Sequence, residues 1–553
     1  MTKKLLLLTM TLCLLSAQLS AQKIDDEMLD HLFAEWDKPD TPGAAVGVFK
    51  DGEIVFAKGY GMANLEYDIP NTPNSVFRIA STSKQFTAAC IVLLAEQGKL
   101  QLTDKLADFF PDFPPYAKDI TVWHLLNHTS GIRDYLAVAS LKGLRDDDYY
   151  EDEDIMRWLV RQQEPNFPAG AEFLYSNSGY WLLGQIVNQV AGMNMADFAQ
   201  QEIFEPLGMS STHFHNDHNA IVKNRASGYY PSGEDEYQIS MTTLNMIGDG
   251  GIFTTINDIK KWDDAYYQSE VLSPAFWATM TQKGTLSNGD PIDYAAGLFL
   301  EDYRGLPTIS HGGAFVGFRA ELIRFPEQKM SIAIFANRGD ANPSRLAYQI
   351  ADILLEDQLE DEVESSDDGP LDLPDDSAEF TLEQVVGAYE IIPGVSLEIS
   401  LEDDSLRVHQ LWNGERYAIA RVNHNTFQVP GDTSMDFIFT DLQDGFTQQV
   451  IVVQGNRKTV CDRNTPFDTS TVDLSAYTGT YYSSEIDIHY HIKQVDEGLE
   501  LTMGKNPPRP LLFRAADELM FGSRSMSFET SDTGFSGFTL QAGRVQNLWF
   551  EKQ

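Results

Sequence analysis

Apolar and polar positions along this chain follow three rhythms, and each predicts a different kind of element. Between Pro42 and Gly61, two β-rich runs, Ala44 to Phe49 and Ile54 to Tyr60, flank Asp51-Gly52, the signature of a hairpin. From Ser81 the pattern turns helical: Ala88, Ala89, Ile91, Val92, Leu93, Leu94 and Ala95 continue an apolar run that stops at Gly98. Further helices are expected over the acidic stretch 143–164, which ends before Pro165, over Trp181 to Val190, and from about Ser344 to Leu355. Thr255 and Asp258 form a capping box that opens another helix through Trp262. Phe318 to Phe325 and Met330 to Ala336 read as two strands joined at Pro326-Glu327-Gln328.

Past residue 355 the rhythm breaks. An acidic run with Pro370 and Pro374 has the composition of a linker, placed at 356–379. The C-terminal remainder of the chain is duplicated. Gly387-Ala388-Tyr389 matches Gly479-Thr480-Tyr481, Ser405-Leu406-Arg407-Val408 matches Gly498-Leu499-Glu500-Leu501, Met435-Asp436-Phe437 matches Met526-Ser527-Phe528, and Gly455-Asn456-Arg457 matches Gly543-Arg544-Val545. The order is kept, and short alternating segments separate the marks. Two all-β units are therefore expected, 380–465 and 472–553, most economically small antiparallel barrels.

Composition changes this picture mainly in where it places the protein. The chain has 553 residues and a formal charge of −42, a surface that repels nucleic acid and anionic headgroups. Lys3, Lys4 and the apolar segment Leu5 to Leu15 read as a secretory signal over 1–21 with cleavage after Ala21, which predicts a periplasmic or secreted protein with no membrane span in the mature chain. Cys90 and Cys461 lie far apart, so neither a disulfide framework nor a Cys-based zinc site is expected. His124 and His128 are spaced i, i+4 but lack an intervening Glu and a third ligand, and His213, His215 and His218 fall in a polar loop, so the expectation is no metal and no cofactor.

Candidate chemistry concentrates at Ser81-Thr82-Ser83-Lys84. Residues three apart share a helical face, so the Ser81 hydroxyl and the Lys84 amine meet without long-range assembly, whereas Ser83 adjoins Lys84 and points elsewhere. A serine needs a base, and a lysine becomes one when burial favours the neutral amine. Ser81 also sits at the positive end of its helix, where an oxyanion is stabilised.

With Ser81-x-x-Lys84, Tyr175-Ser176-Asn177, His311-Gly312-Gly313 and the His-Thr-Ser-Gly segment at 128–131, the chain resembles the serine β-lactamase and penicillin-binding-protein superfamily. The likeness covers about residues 27 to 355 and is nearest to class C β-lactamases, D-aminopeptidases and related esterases. It implies an α+β fold over 22–355, an antiparallel sheet flanked by helices plus a helical subdomain. It also implies roles: Ser81 as acylated nucleophile, Lys84 as its partner, and Tyr175 as a phenol whose proton the nearby lysine loosens. Asn177, His311 and Gly313 would bind substrate, and the backbone N–H groups of Ser81 and Ala314 would form the oxyanion hole. His311 stands where β-lactamases carry lysine, the form of D-aminopeptidases, and the paired β-units match that architecture too. The expected activity is thus a D-aminopeptidase-like amidase working on a small-molecule or peptide substrate, with an esterase, a weak β-lactamase or a non-catalytic envelope-binding protein as alternatives. In the last case the β-domains would engage a cell-envelope ligand.

Overall fold

The computed structural model describes residues 26–360 and 380–553, apart from 146–147, 234–235, 393–394, 403–404, 411–415, 431–434, 455–456, 465–466, 497 and 532–533. The expected signal segment and most of the linker lie outside the described residues. Among the described residues no helix is long and apolar enough to cross a membrane.

The N-terminal domain is built on a six-stranded antiparallel sheet. Its strands are β1 (Ala44–Lys50), β2 (Glu53–Tyr60), β3 (Phe299–Tyr303), β4 (Leu306–Phe315), β5 (Phe318–Phe325) and β6 (Met330–Ala336), in the order β3-β4-β5-β6-β1-β2. The β1–β2 turn is the expected one: Asp51 and Gly52 both have positive φ, 51° and 81°, which matches the twist of a tight hairpin. The domain's two ends meet in mid-sheet, where β1 pairs with β6 through Val46↔Ile334.

Both faces of this sheet are covered, so its central strands read as unbroken apolar runs. Ala44, Val46 and Val48 join one core with Ile332, Ile334 and the helix Pro343–Leu354, while Ala45 and Phe49 join the other with the helix Lys84–Glu96. That second helix, α1, is the spine of the domain: every residue from Lys84 to Leu94 is buried. It is preceded by a 3-10 turn, Ala80–Ser83, and ends as expected at Gly98, φ 68°, where the Lys99 N–H bonds back to the Leu94 carbonyl at 2.9 Å.

The helical subdomain departs from the sequence expectation in one place. Among the described residues of 143–164 the helix covers only Asp152–Val160, where three acids occupy the favourable first turn and Gly143, φ 78°, breaks the chain upstream. A separate helix, α2 (Tyr135–Leu141), capped by Asp134, lies just before it. The apolar helix near 181 begins earlier, as α3 (Asn177–Ala191).

Residues 387–464 and 479–552 form two closed eight-stranded antiparallel barrels, which leaves no open sheet edge in either. The duplication is visible at atomic detail. Tyr389 and Tyr481 are both fully buried, and each donates its hydroxyl to the carbonyl four residues upstream, Val385 and Tyr477, at 2.8 Å. The two copies nevertheless differ in attachment. The first barrel has its own core, whereas the second shares one continuous core with the N-terminal domain. Glu356 to Glu360, expected to begin the linker, still pack: Leu359 is buried, and the Glu360 N–H reaches the Arg304 carbonyl at 2.9 Å.

Candidate active site

Ser81 sits where the 3-10 turn feeds α1, and one turn onward Lys84 Nζ lies 3.1 Å from Ser81 Oγ. The serine is half-exposed in a cavity of about 620 Å³, and the lysine is fully buried behind it. Lys84 Nζ also donates to Asn177 Oδ1 at 2.8 Å and to the Asp249 carbonyl at 2.6 Å. A neutral amine has two N–H bonds and one lone pair. The ammonium form donates to all three acceptors, Ser81 Oγ included; on losing a proton it keeps Asn177 and the Asp249 carbonyl and turns its lone pair to the Ser81 hydroxyl. Burial pushes the ammonium down to about 8, against the pull of Asp249 and Asp134 and with the help of Arg544. Ser83, the neighbouring hydroxyl, is buried and engaged, its Oγ accepting from the Ile252 N–H at 3.0 Å.

Tyr175 and Asn177 arrive at the start of α3. Asp134 orients Asn177, its Oδ2 accepting from the Asn177 backbone N–H at 2.7 Å and from Nδ2 at 2.9 Å, while its Oδ1 caps α2 through Leu136 and Ala137. The expectation for Tyr175 needs correcting. Lys84 Nζ lies over the ring, 4.8 Å from its centroid, and burial pushes the phenol well up although the Ser81 hydroxyl and Arg544 pull the other way. The resting phenol is therefore a proton donor. Its hydroxyl is buried beside that of Ser81, with no well-formed hydrogen bond among the described residues.

The third segment lies on β4. Thr82 Oγ1 donates to the His311 carbonyl at 3.1 Å, and a Cβ on Gly313 would stand 2.2 Å from the Ile79 carbonyl oxygen and 3.1 Å from the Ser81 nitrogen. Only glycine lets the strand come this close to Ser81. Burial and Lys84 push His311 down to about 3, so the ring is neutral. With Nδ1 facing the Gly312 carbonyl at 2.6 Å, Nε2 accepts from the Tyr294 hydroxyl at 2.9 Å. Ser81, Tyr175, Asn177, His311, Gly313 and Ala314 all line the one cavity.

His124, His128, His213, His215 and His218 each take hydrogen bonds within the chain. His124 Nδ1 accepts from the Thr121 N–H at 3.2 Å at a helix start, and His128 Nδ1 accepts from the Ser176 N–H at 3.1 Å with its ring 4.1 Å from that of Tyr175. His213 Nε2 meets His215 Nδ1 at 3.3 Å, and His218 bonds Asn245.

Sequence reasoning missed Asp134, Asp249 and Arg544. Asp134 carried a legible signal, an acid at a helix start before Tyr135. Asp249 acts through its carbonyl, which any residue has. Arg544 comes from the last hairpin of the second barrel, and its guanidinium lies 4.8 Å over the Tyr175 ring, on the cavity wall. Nothing local to residue 544 points to that.

The family model described as Beta-lactamase matches residues 29–355. Penicillin-binding protein 4* of Bacillus subtilis (strain 168) is 30% identical over 380 residues, 64% of this chain and 81% of that protein. A D-aminopeptidase of Gluconobacter oxydans (strain 621H) is 28% identical over 300 residues, 54% of this chain and 56% of its own length, so the match spans little more than half of that relative. Among solved structures, the octameric penicillin-binding protein homologue from Pyrococcus abyssi aligns with TM-score 0.56 at 23% identity, covering 79% of this chain and 100% of that one. A D-stereospecific amidohydrolase from Streptomyces sp. aligns with TM-score 0.50 at 21% identity, covering 60% and 99% respectively. At these identities the structural likeness speaks for the fold.

Proposed function

Because this chain belongs to the beta-lactamase family, whose fold is that of a serine hydrolase, we propose that it hydrolyses an amide or ester of a D-residue through an acyl-enzyme at Ser81. The observation that carries this reading is the triple coordination of Lys84 by Ser81, Asn177 and the Asp249 carbonyl, in which loss of one proton leaves its lone pair to the serine. Ser81 Oγ attacks the substrate carbonyl as Lys84 takes its proton. The oxyanion gathers between the N–H groups of Ser81 and Ala314. Tyr175 gives its proton to the departing amine or alcohol, and the Lys84 ammonium restores it. Water then attacks the acyl-Ser81 ester by the same route, releasing the acid and regenerating the serine.

The D-aminopeptidase relative supports an amidase acting on D-residues over a β-lactamase. So does His311, which puts a neutral ring where a lysine would offer a charge. The signal at 1–21 supports work in the periplasm or outside the cell. Intact mass after a fluorophosphonate tests the nucleophile: the wild type should gain one adduct and Ser81→Ala none, and equal labelling of both would move the nucleophile elsewhere. A panel of D-alanyl amides, p-nitrophenyl esters and a chromogenic cephalosporin then tests the substrate. Fast cephalosporin turnover, improved further by His311→Lys, would favour a β-lactamase instead.

A further inference from the structure

The cavity around Ser81 is electropositive in a chain whose net charge is −42. Three guanidinium groups line it: Arg78, Arg319 and Arg544. Arg319 is spent on the fold, its Nη1 donating to the Val316 and Phe318 carbonyls at 2.9 and 2.7 Å. The other two are not. Arg78 is only 7% exposed, yet its Nε has no hydrogen-bond partner among the described residues, and its guanidinium lies over Phe315 at 5.2 Å and Phe253 at 5.8 Å. Burying a guanidinium is costly, and here the Asp249 carboxylate on the same cavity offsets part of that cost.

Arg544 is held by its backbone rather than its charge. Its carbonyl accepts from the Asp134 N–H at 3.3 Å and from Asn166 Nδ2 at 3.0 Å, which pins the hairpin over the cavity. The nearest carboxylate to its guanidinium is Asp134, at 3.8 Å, already occupied by Asn177 and by the cap of α2. The guanidinium thus keeps its planar set of N–H donors for a ligand, and that geometry fits a carboxylate with two parallel bonds. Asp249 also faces the cavity, but Tyr135 donates to its Oδ2 at 2.9 Å.

We propose that this active site selects substrates carrying a carboxylate close to the scissile bond, with Arg544 of the second barrel as the specificity-determining residue and Arg78 adding its charge from the cavity wall. The proposal rests on the serine-hydrolase reading above and narrows its substrate class. A substrate with a free ammonium in the same place would meet the two arginines unfavourably.

The test uses the full-length chain and two matched pairs of substrates. One pair puts the carboxylate in the acyl group, mono-p-nitrophenyl glutarate against p-nitrophenyl valerate. The other puts it in the leaving group, N-acetyl-D-alanyl-D-alanine against its C-terminal amide. In at least one pair the wild type should favour the carboxylate at least tenfold in kcat/KM. Arg544→Gln should bring that ratio below threefold, Arg544→Lys should recover part of it, and Arg544→Glu should invert it. A ratio near one in both pairs, or a preference that survives Arg544→Gln, overturns the proposal. Fluorophosphonate labelling of Ser81 in the same samples separates the two levels. Labelling without selectivity defeats only the carboxylate reading, and no labelling of the wild type defeats the hydrolase reading and this one with it.

Discussion

Chemistry at the site turns on one amine. With Lys84 pushed down to about 8, only about a tenth of it is neutral at pH 7, and the fraction grows with pH until it saturates. In the proposed mechanism Lys84 acts in its deprotonated form, so kcat/KM should climb about tenfold per pH unit below 8 and level off above it. Lys84→Arg, which never deprotonates, should remove that slope and about 10³-fold of the activity, read from a pH–rate profile. Gly313 makes a second prediction. An added methyl meets a carbonyl oxygen 2.2 Å away, and backbone cannot yield as a flexible side chain would. Gly313→Ala should therefore push β4 off the nucleophile turn, costing at least about 10²-fold in kcat if an oxyanion donor is displaced, with a lowered Tm. Ala80, one residue before the nucleophile, already holds φ at 45°, a strained value for a residue with a side chain and one that recurs at functional sites.

Two helices share one carboxylate at the scale of the elements. Asp134 caps α2 with one oxygen and, with the other, accepts from the first turn of α3, where Asn177 is set against Lys84. Asp134→Ala should cost about 1 kcal/mol for the lost cap and release Asn177 as well. Asp134→Asn separates the two duties, because an amide has one acceptor oxygen and a donor NH₂ group that repels any N–H facing it. It should keep most of the thermal stability by serving the cap and still lose kcat, a split that a purely structural aspartate would not show. The meeting of β1 with β6 has a related consequence. Strands almost 290 positions apart share a ladder, so the sheet forms only after most of the domain's chain has been gathered in.

For the whole molecule, the two barrels are alike in fold and unlike in attachment. Arg133, its side chain wholly buried, pairs with Glu485 of the second barrel at 2.6 Å and also donates to the Gln546 and Asn547 carbonyls at 3.0 Å. Tyr490 Oη reaches the Leu141 carbonyl at 2.9 Å, and Lys142 bonds the Ile486 carbonyl. Removing one partner of such a pair strands the other, at about 3–5 kcal/mol. Glu485→Ala should therefore raise hydrogen exchange in the second barrel and in α2 together while 387–464 keeps its protection. Equal loosening of both barrels would contradict a shared core. The same docking carries Arg544 to the cavity, so this variant should also weaken any preference for anionic substrates.

Local pattern alone was enough for the elements whose signals are short in range. The β1–β2 turn, the β5–β6 pair, the capped helix after Thr255, the Ser81–Lys84 face and the duplicated C-terminal units all arise from periodicity, turn residues and i, i+3 geometry, which act over a few residues. Tertiary structure alone decided the electrostatics and the partnerships. Burial from every side, absent from any local pattern, lowers Lys84, raises Tyr175 and keeps His311 neutral. Asp134 and Arg544 reach the site because packing closes gaps of 43 residues to Asn177 and over 400 along the chain. The two repeats show the division most plainly: similar patterns made both closed barrels, and only contact with the N-terminal domain made one of them part of the cavity wall around Ser81.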